Sequence, residues 1–182
     1  MLDIEYPKLE NNSFNNLDLL MNEPKIKINL RGNKKDFFTK AGKILSLILP
    51  TEANTSSSNE KFNALWLSPD EWMIYFDGKD TNNVINNLFN EISKLNFGAI
   101  TDISDHWVCI NIKGRKTFDL LSSSSPFNFN SFKKSKNNVT QTVLNHTDVI
   151  IHHREVDYVN LFVRRSFAED LWLWINDSTR FL

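Results

Sequence analysis

The amino-acid sequence predicts an α+β protein built from two linked antiparallel-sheet-plus-helix units. Three observations predict it. Apolar patterns of period two and period 3.6 succeed one another as β-α-β-β-α-β between residues 25 and 104. A second set of strand-like runs, closed by a helix-like run, fills residues 105–182. The chain is 41% hydrophobic and 24% charged over 182 residues, enough to bury a core rather than stay disordered.

Residues 1–24 are polar, with weak apolar spacing and Pro7 and Pro24 as punctuation, and read as an irregular arm. KIKINL then alternates Ile26, Ile28 and Leu30 against polar neighbours, the period of a half-buried strand. RGN is a turn. KDFFTKAGKILSLIL spaces Phe37, Phe38, Ala41, Ile44, Leu45 and Ile48 as one helical face, closed by Pro50. TEANTSSSNEK is a polar loop. FNALWL and WMIYF are strands joined through Ser68-Pro69-Asp70-Glu71, a hairpin turn. TNNVINNLFNEISKL spaces Val84, Ile85, Leu88, Phe89 and Ile92 as a second helix, and AITDIS is a short strand. The order is that of the ferredoxin-like split βαβ unit, two helices on one face of an antiparallel sheet.

In the second unit WVCINIKG is a strand, GRKTFDLL a helix, and SSSSPFNFNSFKKSKNN a long polar connection with interleaved phenylalanines. NVTQTVL, DVIIHH and DYVNLFV are three further strands before the terminal helix. The expected organisation is thus an arm at 1–24 and units at 25–104 and 105–182.

Charge and motif content exclude several functions. The net charge of −1 gives no global attraction to nucleic acid or an anionic membrane, and no apolar run approaches the ~20 residues of a membrane span. The segment MLDIEYPKLENN has no apolar signal core, so a reduced, cytoplasmic protein is expected, and Asn145-His146-Thr147 is read as an accident of an asparagine-rich composition. A single cysteine, Cys109, excludes an internal disulfide and sits in a strand, where a packed thiol is expected. His152 and His153 are adjacent in a strand and point to opposite faces; with His106 and His146 they form no metal-ligand spacing. Five glycines include no dinucleotide or phosphate-binding loop, and Ser122–Ser125 lack a nucleophile-elbow context. Lys133, Lys134 and Lys136 beside Phe127, Phe129 and Phe132 read as a solvated or partner-facing loop. Asp70, Glu71, Asp102 and Asp105 lie near strand ends, but spacing alone brings no two together.

The terminal segment SFAEDLWLWINDSTRFL offers a capping box, with Ser166 as cap and Glu169 returning the bond. Phe167, Ala168, Leu171, Trp172, Trp174, Ile175 and Phe181 fall on an arc of roughly half the circumference. Leu173 falls outside it, among Glu169, Asp170, Asp177 and Arg180. Two readings stand side by side. One is a helix docked on its own sheet with Leu173 exposed; the other is a helix partly covered by a second protein. Trp172, Leu173, Phe127 and Phe129 are the candidate interface residues.

Several stretches together resemble the sarcosine oxidase gamma subunit family: NLRG (29–32), ANT (53–55), LWLSPDEWMI (65–74), TDISDHWVCINIKG (101–114), FDLL (118–121), QT (141–142), HHR (152–154) and RSFAEDLWLW (165–174). The chain departs from the family in the loop after Leu121, where a Gly-Cys pair is common. The resemblance implies a small relative of the folate-binding aminomethyltransferase fold. It implies a non-catalytic subunit of a heterotetramer with alpha, beta and delta subunits that oxidises sarcosine to glycine, hydrogen peroxide and a one-carbon unit. FAD, FMN, NAD and the tetrahydrofolate site would belong to alpha and beta, zinc to delta, and no cofactor or metal to this chain. The alternative is a folate- or pterin-binding transferase in its own right, with Trp66, Trp72, Trp107 or Phe127 stacking on the pterin and Asp102 or Asp70 as acid/base. An iron–sulfur maintenance factor of the same fold would carry a K-G-C-[YF]-x-G-Q motif, absent here.

Overall fold

A computed structural model describes residues 9–21, 26–78 and 82–182. Pro7, Pro24 and Lys25 lie outside the described residues. The chain divides into two compact units, one Lys25–Ser104, the other the N-terminal residues together with Asp105–Leu182.

The Lys25–Ser104 unit contains β3 (Ile26–Gly32), α1 (Lys35–Leu45), β4 (Ser56–Ser58), β5 (Asn63–Ser68), β6 (Glu71–Phe76), α2 (Asn82–Ile92) and β7 (Gly98–Asp102). Its sheet runs β4-β5-β6-β3-β7, antiparallel throughout. Without the edge strand β4 this is the ferredoxin-like order. Alternation on β3 sends Ile28 and Leu30 into a core with Trp72, Ile74 and Phe76 of β6, Phe37, Ala41 and Leu45 of α1, and Leu88 and Ile92 of α2. Gly32 and Gly98 are cross-strand partners. A Cβ at Gly32 would lie 2.4 Å from the Phe37 ring, so the missing side chain makes the seat for α1.

Two expectations in this unit are corrected. Helix α1 ends at Leu45, because Ser46 turns left-handed (φ 50°) and Asn59 donates its amide to the carbonyls of Leu45 and Ser46. Ile48 therefore leaves the helical face and is 85% exposed. The polar loop contains a strand: Ser56–Ser58 pairs with Leu65–Asn63 despite three serines in a row.

The other unit contains β1 (Asn12–Phe14), β2 (Leu17–Met21), β8 (Trp107–Lys113), α3 (Thr117–Ser122), α4 (Phe129–Phe132), β9 (Val139–Leu144), β10 (Thr147–Glu155), β11 (Tyr158–Arg164) and α5 (Ala168–Ser178). Its antiparallel sheet runs β1-β2-β8-β11-β10-β9. The irregular arm is thereby corrected. Residues 12–21 form a hairpin through Asn15–Asn16, and β2 pairs with β8. Leu17 and Leu19 are buried because the side chains alternate, sending both into the core with Ile110 and Ile112. Gly114 (φ 132°) lets the chain after β8 pass the turn, since a Cβ there would lie 2.2 Å from the Asn16 carbonyl oxygen.

Asn145 and His146 both take positive φ in the two-residue turn between β9 and β10, the backbone that a tight hairpin requires. Strand alternation separates the adjacent histidines, both of them buried. His153 packs edge-on to Phe118 and stacked on Phe132. His152 lies opposite Asn160.

Candidate functional site

Helix α5 docks on its sheet through Ala168, Leu171, Trp172 and Ile175. The capping box does not form. Ser166 sits inside a short 3-10 turn (Arg165–Phe167), the helix begins one residue later, and no side chain caps it. That shift turns Phe167 outward to half exposure, and Phe181, in a final 3-10 turn, is also exposed. The buried arc is narrower than the sequence arc for this reason. Leu173 stands 61% exposed on the other side.

Beside Leu173, α5 and the N-terminal hairpin line a groove of about 680 Å³. Phe14, Leu173 and an edge of Trp172 supply its apolar surface. Its amides are engaged: Asn12 Nδ2 donates to Asn176 Oδ1, and Asn176 Nδ2 donates to the Trp172 carbonyl at 2.7 Å. Asp177 is held by Arg180 at 3.3 Å, and Glu10 completes the rim. Phe14, Asn12 and Glu10 escaped the sequence reading. The short Leu17-Leu19-Met21 alternation is consistent with β2 but too brief to announce a strand by itself.

The four candidate interface residues separate. Trp172 is 4% exposed and Phe129 3%, so both belong to this unit's own core. The polar loop folds its phenylalanines inward: Phe127, Phe129 and Phe132 make edge-to-face pairs with centroids 4.9–5.7 Å apart. Asn128 caps the short helix α4 through Asn130 N–H, and His153 Nδ1 donates to the Ser135 carbonyl at 2.8 Å. Phe127 is partly buried against this cluster. Leu173 alone of the four is exposed.

The tryptophans and carboxylates considered for a pterin are engaged within the fold. Trp72 is buried, flanked by Phe37 and Phe38, and donates Nε1–H to the Pro50 carbonyl at 2.8 Å. Trp66 packs against the same core. The Arg164 guanidinium covers the Trp107 ring at 5.2 Å and contacts His106 Nε2. Asp70 accepts from Ser68 Oγ (2.9 Å) and Arg31 (3.1 Å), which hold its carboxyl below the usual carboxylate range. Asp102 accepts from Ser104 N–H and Oγ in a local turn. Glu71 accepts from Asn29 at 2.6 Å. Among the described residues, no three His, Cys, Asp or Glu side chains converge as a metal site would require, and no helix is long and apolar enough to cross a membrane.

The stretches that carried the resemblance thus hold turns and pairings. Arg31 of NLRG grips Asp70 of LWLSPDEW, and Ser104 of TDISD receives the Lys27 N–H at 3.0 Å. Solved structures share the fold. Heterotetrameric sarcosine oxidase from Corynebacterium sp. U-96, in complex with pyrrole 2-carboxylate, matches with a TM-score of 0.82 at 18% identity, over 89% of this chain and 83% of that one. Glycine cleavage system aminomethyltransferase T from Bartonella henselae matches with a TM-score of 0.68 at 12% identity, over 91% of this chain and 46% of that one. The fold is therefore that of an aminomethyltransferase-like α+β protein. No curated protein sequence matches. The sarcosine oxidase gamma subunit family matches residues 31–180, and the chain belongs to that family.

Proposed function

We propose that this chain is the non-catalytic gamma subunit of a heterotetrameric sarcosine oxidase, a flavin-dependent oxidoreductase acting on a CH–NH bond. Its partners are the alpha, beta and delta subunits, and it supports their assembly beside the folate-handling part of the large subunit during oxidative demethylation of sarcosine to glycine. FAD, FMN, NAD, zinc and tetrahydrofolate are held by the partners, and the complex is cytoplasmic. The family match over residues 31–180 carries the reading. The engagement of Asp70, Asp102 and Trp72 in turns and core supports a structural role over a folate-binding one.

The test is recovery of the tagged full-length chain from its native cells, with the eluate examined by mass spectrometry and visible absorbance. A yellow eluate with a large flavoprotein and a smaller oxidase subunit is the expected result. A colourless, solitary chain would refute it, and equilibrium dialysis with tetrahydrofolate would then test the transferase alternative.

A further inference from the structure

We propose that the α5–hairpin groove is the docking site for a polypeptide segment of a partner subunit, one that presents an apolar side chain flanked by lysine or arginine. The inference rests on the subunit reading above and specifies the surface that serves it.

The amides of Asn12 and Asn176 are directed to each other and to the Trp172 carbonyl. A small polar ligand would find few donors there, and a folate, with its anionic glutamate tail, would meet carboxylates. What the groove offers is apolar surface from Phe14, Leu173 and Trp172. Leu173 projects from the polar side of α5, where its helical neighbours one turn away are Glu169, Asp170 and Asp177. Glu10 and Asp177 line the groove, Glu169 and Asp170 lie on α5 one turn from Leu173, and among the described residues the one cation lining the groove is Arg180, paired with Asp177. Among the described residues, Glu10, Glu169 and Asp170 are thus left without a cation partner around Leu173. An apolar centre with an excess of carboxylates beside it disfavours an acidic partner and a second copy of the same surface, whose like charges would repel. It suits an apolar anchor with basic flanks, the anchor supplying burial and the flanks orientation and encounter rate.

The experiment uses tagged full-length chains expressed in native cells, reading flavin absorbance per mole of chain and the mass of the co-eluting subunits. Leu173→Asp is expected to cut recovered flavoprotein by about tenfold or more, the loss typical of an interface hot spot. Glu10→Lys/Asp177→Lys is expected to cut it about fivefold and to make recovery less sensitive to salt, since the screened attraction is gone. Lysine near the C-terminus of α5 suits the helix dipole, which offsets the lost exposed Asp177–Arg180 pair, and circular dichroism of the purified variant checks that it is folded. Unchanged recovery with both variants overturns the inference and leaves the subunit reading standing. Loss with Leu173→Asp alone overturns the basic flanks. A self-associating chain that Leu173→Asp renders monomeric identifies a second copy as the occupant and overturns the proposal. A wild-type chain that recovers no flavoprotein refutes the subunit reading, and the inference with it.

Discussion

His152 makes the stability of its unit depend on pH in a calculable way. The side chain is fully buried on β10, and burial first, then the charges of Arg154 and His153, hold its pKa well below the ordinary imidazole value. In the unfolded chain the same histidine titrates near pH 6.5. Below that pH the unfolded chain binds a proton that folded His152 refuses. Unfolding then takes up protons, so stability rises with pH and is lost as pH falls. Each unit below 6.5 costs up to about 1.4 kcal/mol, and the step from pH 7.5 to pH 5.0 costs up to about 2 kcal/mol from this group. Urea unfolding followed by tryptophan fluorescence at several pH values reads the loss. The comparison is with His152→Gln, because the contributions of every group common to both proteins cancel in the difference. The variant is expected to start less stable and to lose less stability on acidification, by up to about 2 kcal/mol. Parallel losses in the two proteins would show that folded His152 accepts the proton, and would refute the argument.

Trp172→Ala should destabilise the protein by about 3–5 kcal/mol in the same assay, because a buried indole leaves both transfer and cavity terms behind. Trp72→Phe should cost about 2 kcal/mol, combining a smaller ring with a Pro50 carbonyl that loses its donor. Gly114→Ala should cost about 2–3 kcal/mol, since the new methyl group meets the Asn16 carbonyl at a φ of 132°; amide hydrogen exchange should speed up in residues 12–21 before other strands.

Elements with a strong period were readable in the sequence. KIKINL, WMIYF and DVIIHH carry enough β-branched and aromatic alternation to specify strands, and their antiparallel assembly follows from short connections. Weak patterns failed where tertiary pairing supplies what local sequence lacks. Ser56–Ser58 has no strand propensity, yet β5 offers it a ladder. Leu17 and Leu19 are too few to announce a strand, and become one because β8 needs a neighbour. Helix ends were decided by single residues: a left-handed Ser46 and a 3-10 turn at Ser166 both override motifs that looked sufficient. The site was half legible. Leu173 is exposed, in keeping with its position on the helical wheel, but Phe129 sits in a polar run and is drawn inward against Phe118, Phe127 and Phe132, an aromatic cluster that His153 of β10 completes through Phe118 and Phe132. No pattern in LENNSF placed Glu10, Asn12 and Phe14 along the same groove as α5.

The pairing of β2 with β8 sets an order of events during synthesis. Leu19 meets Ile112, roughly ninety residues later, so loop closure over that distance must precede the contact. The Lys25–Ser104 unit is contiguous and has every strand it needs once its last residue leaves the ribosome. The hairpin ahead of it must wait, its Leu17 and Leu19 unsheltered, until β8 and the strands after it are made. The hairpin is thus open to chaperones and proteases for longer than the Lys25–Ser104 unit, and the sheet it completes closes after that unit's sheet.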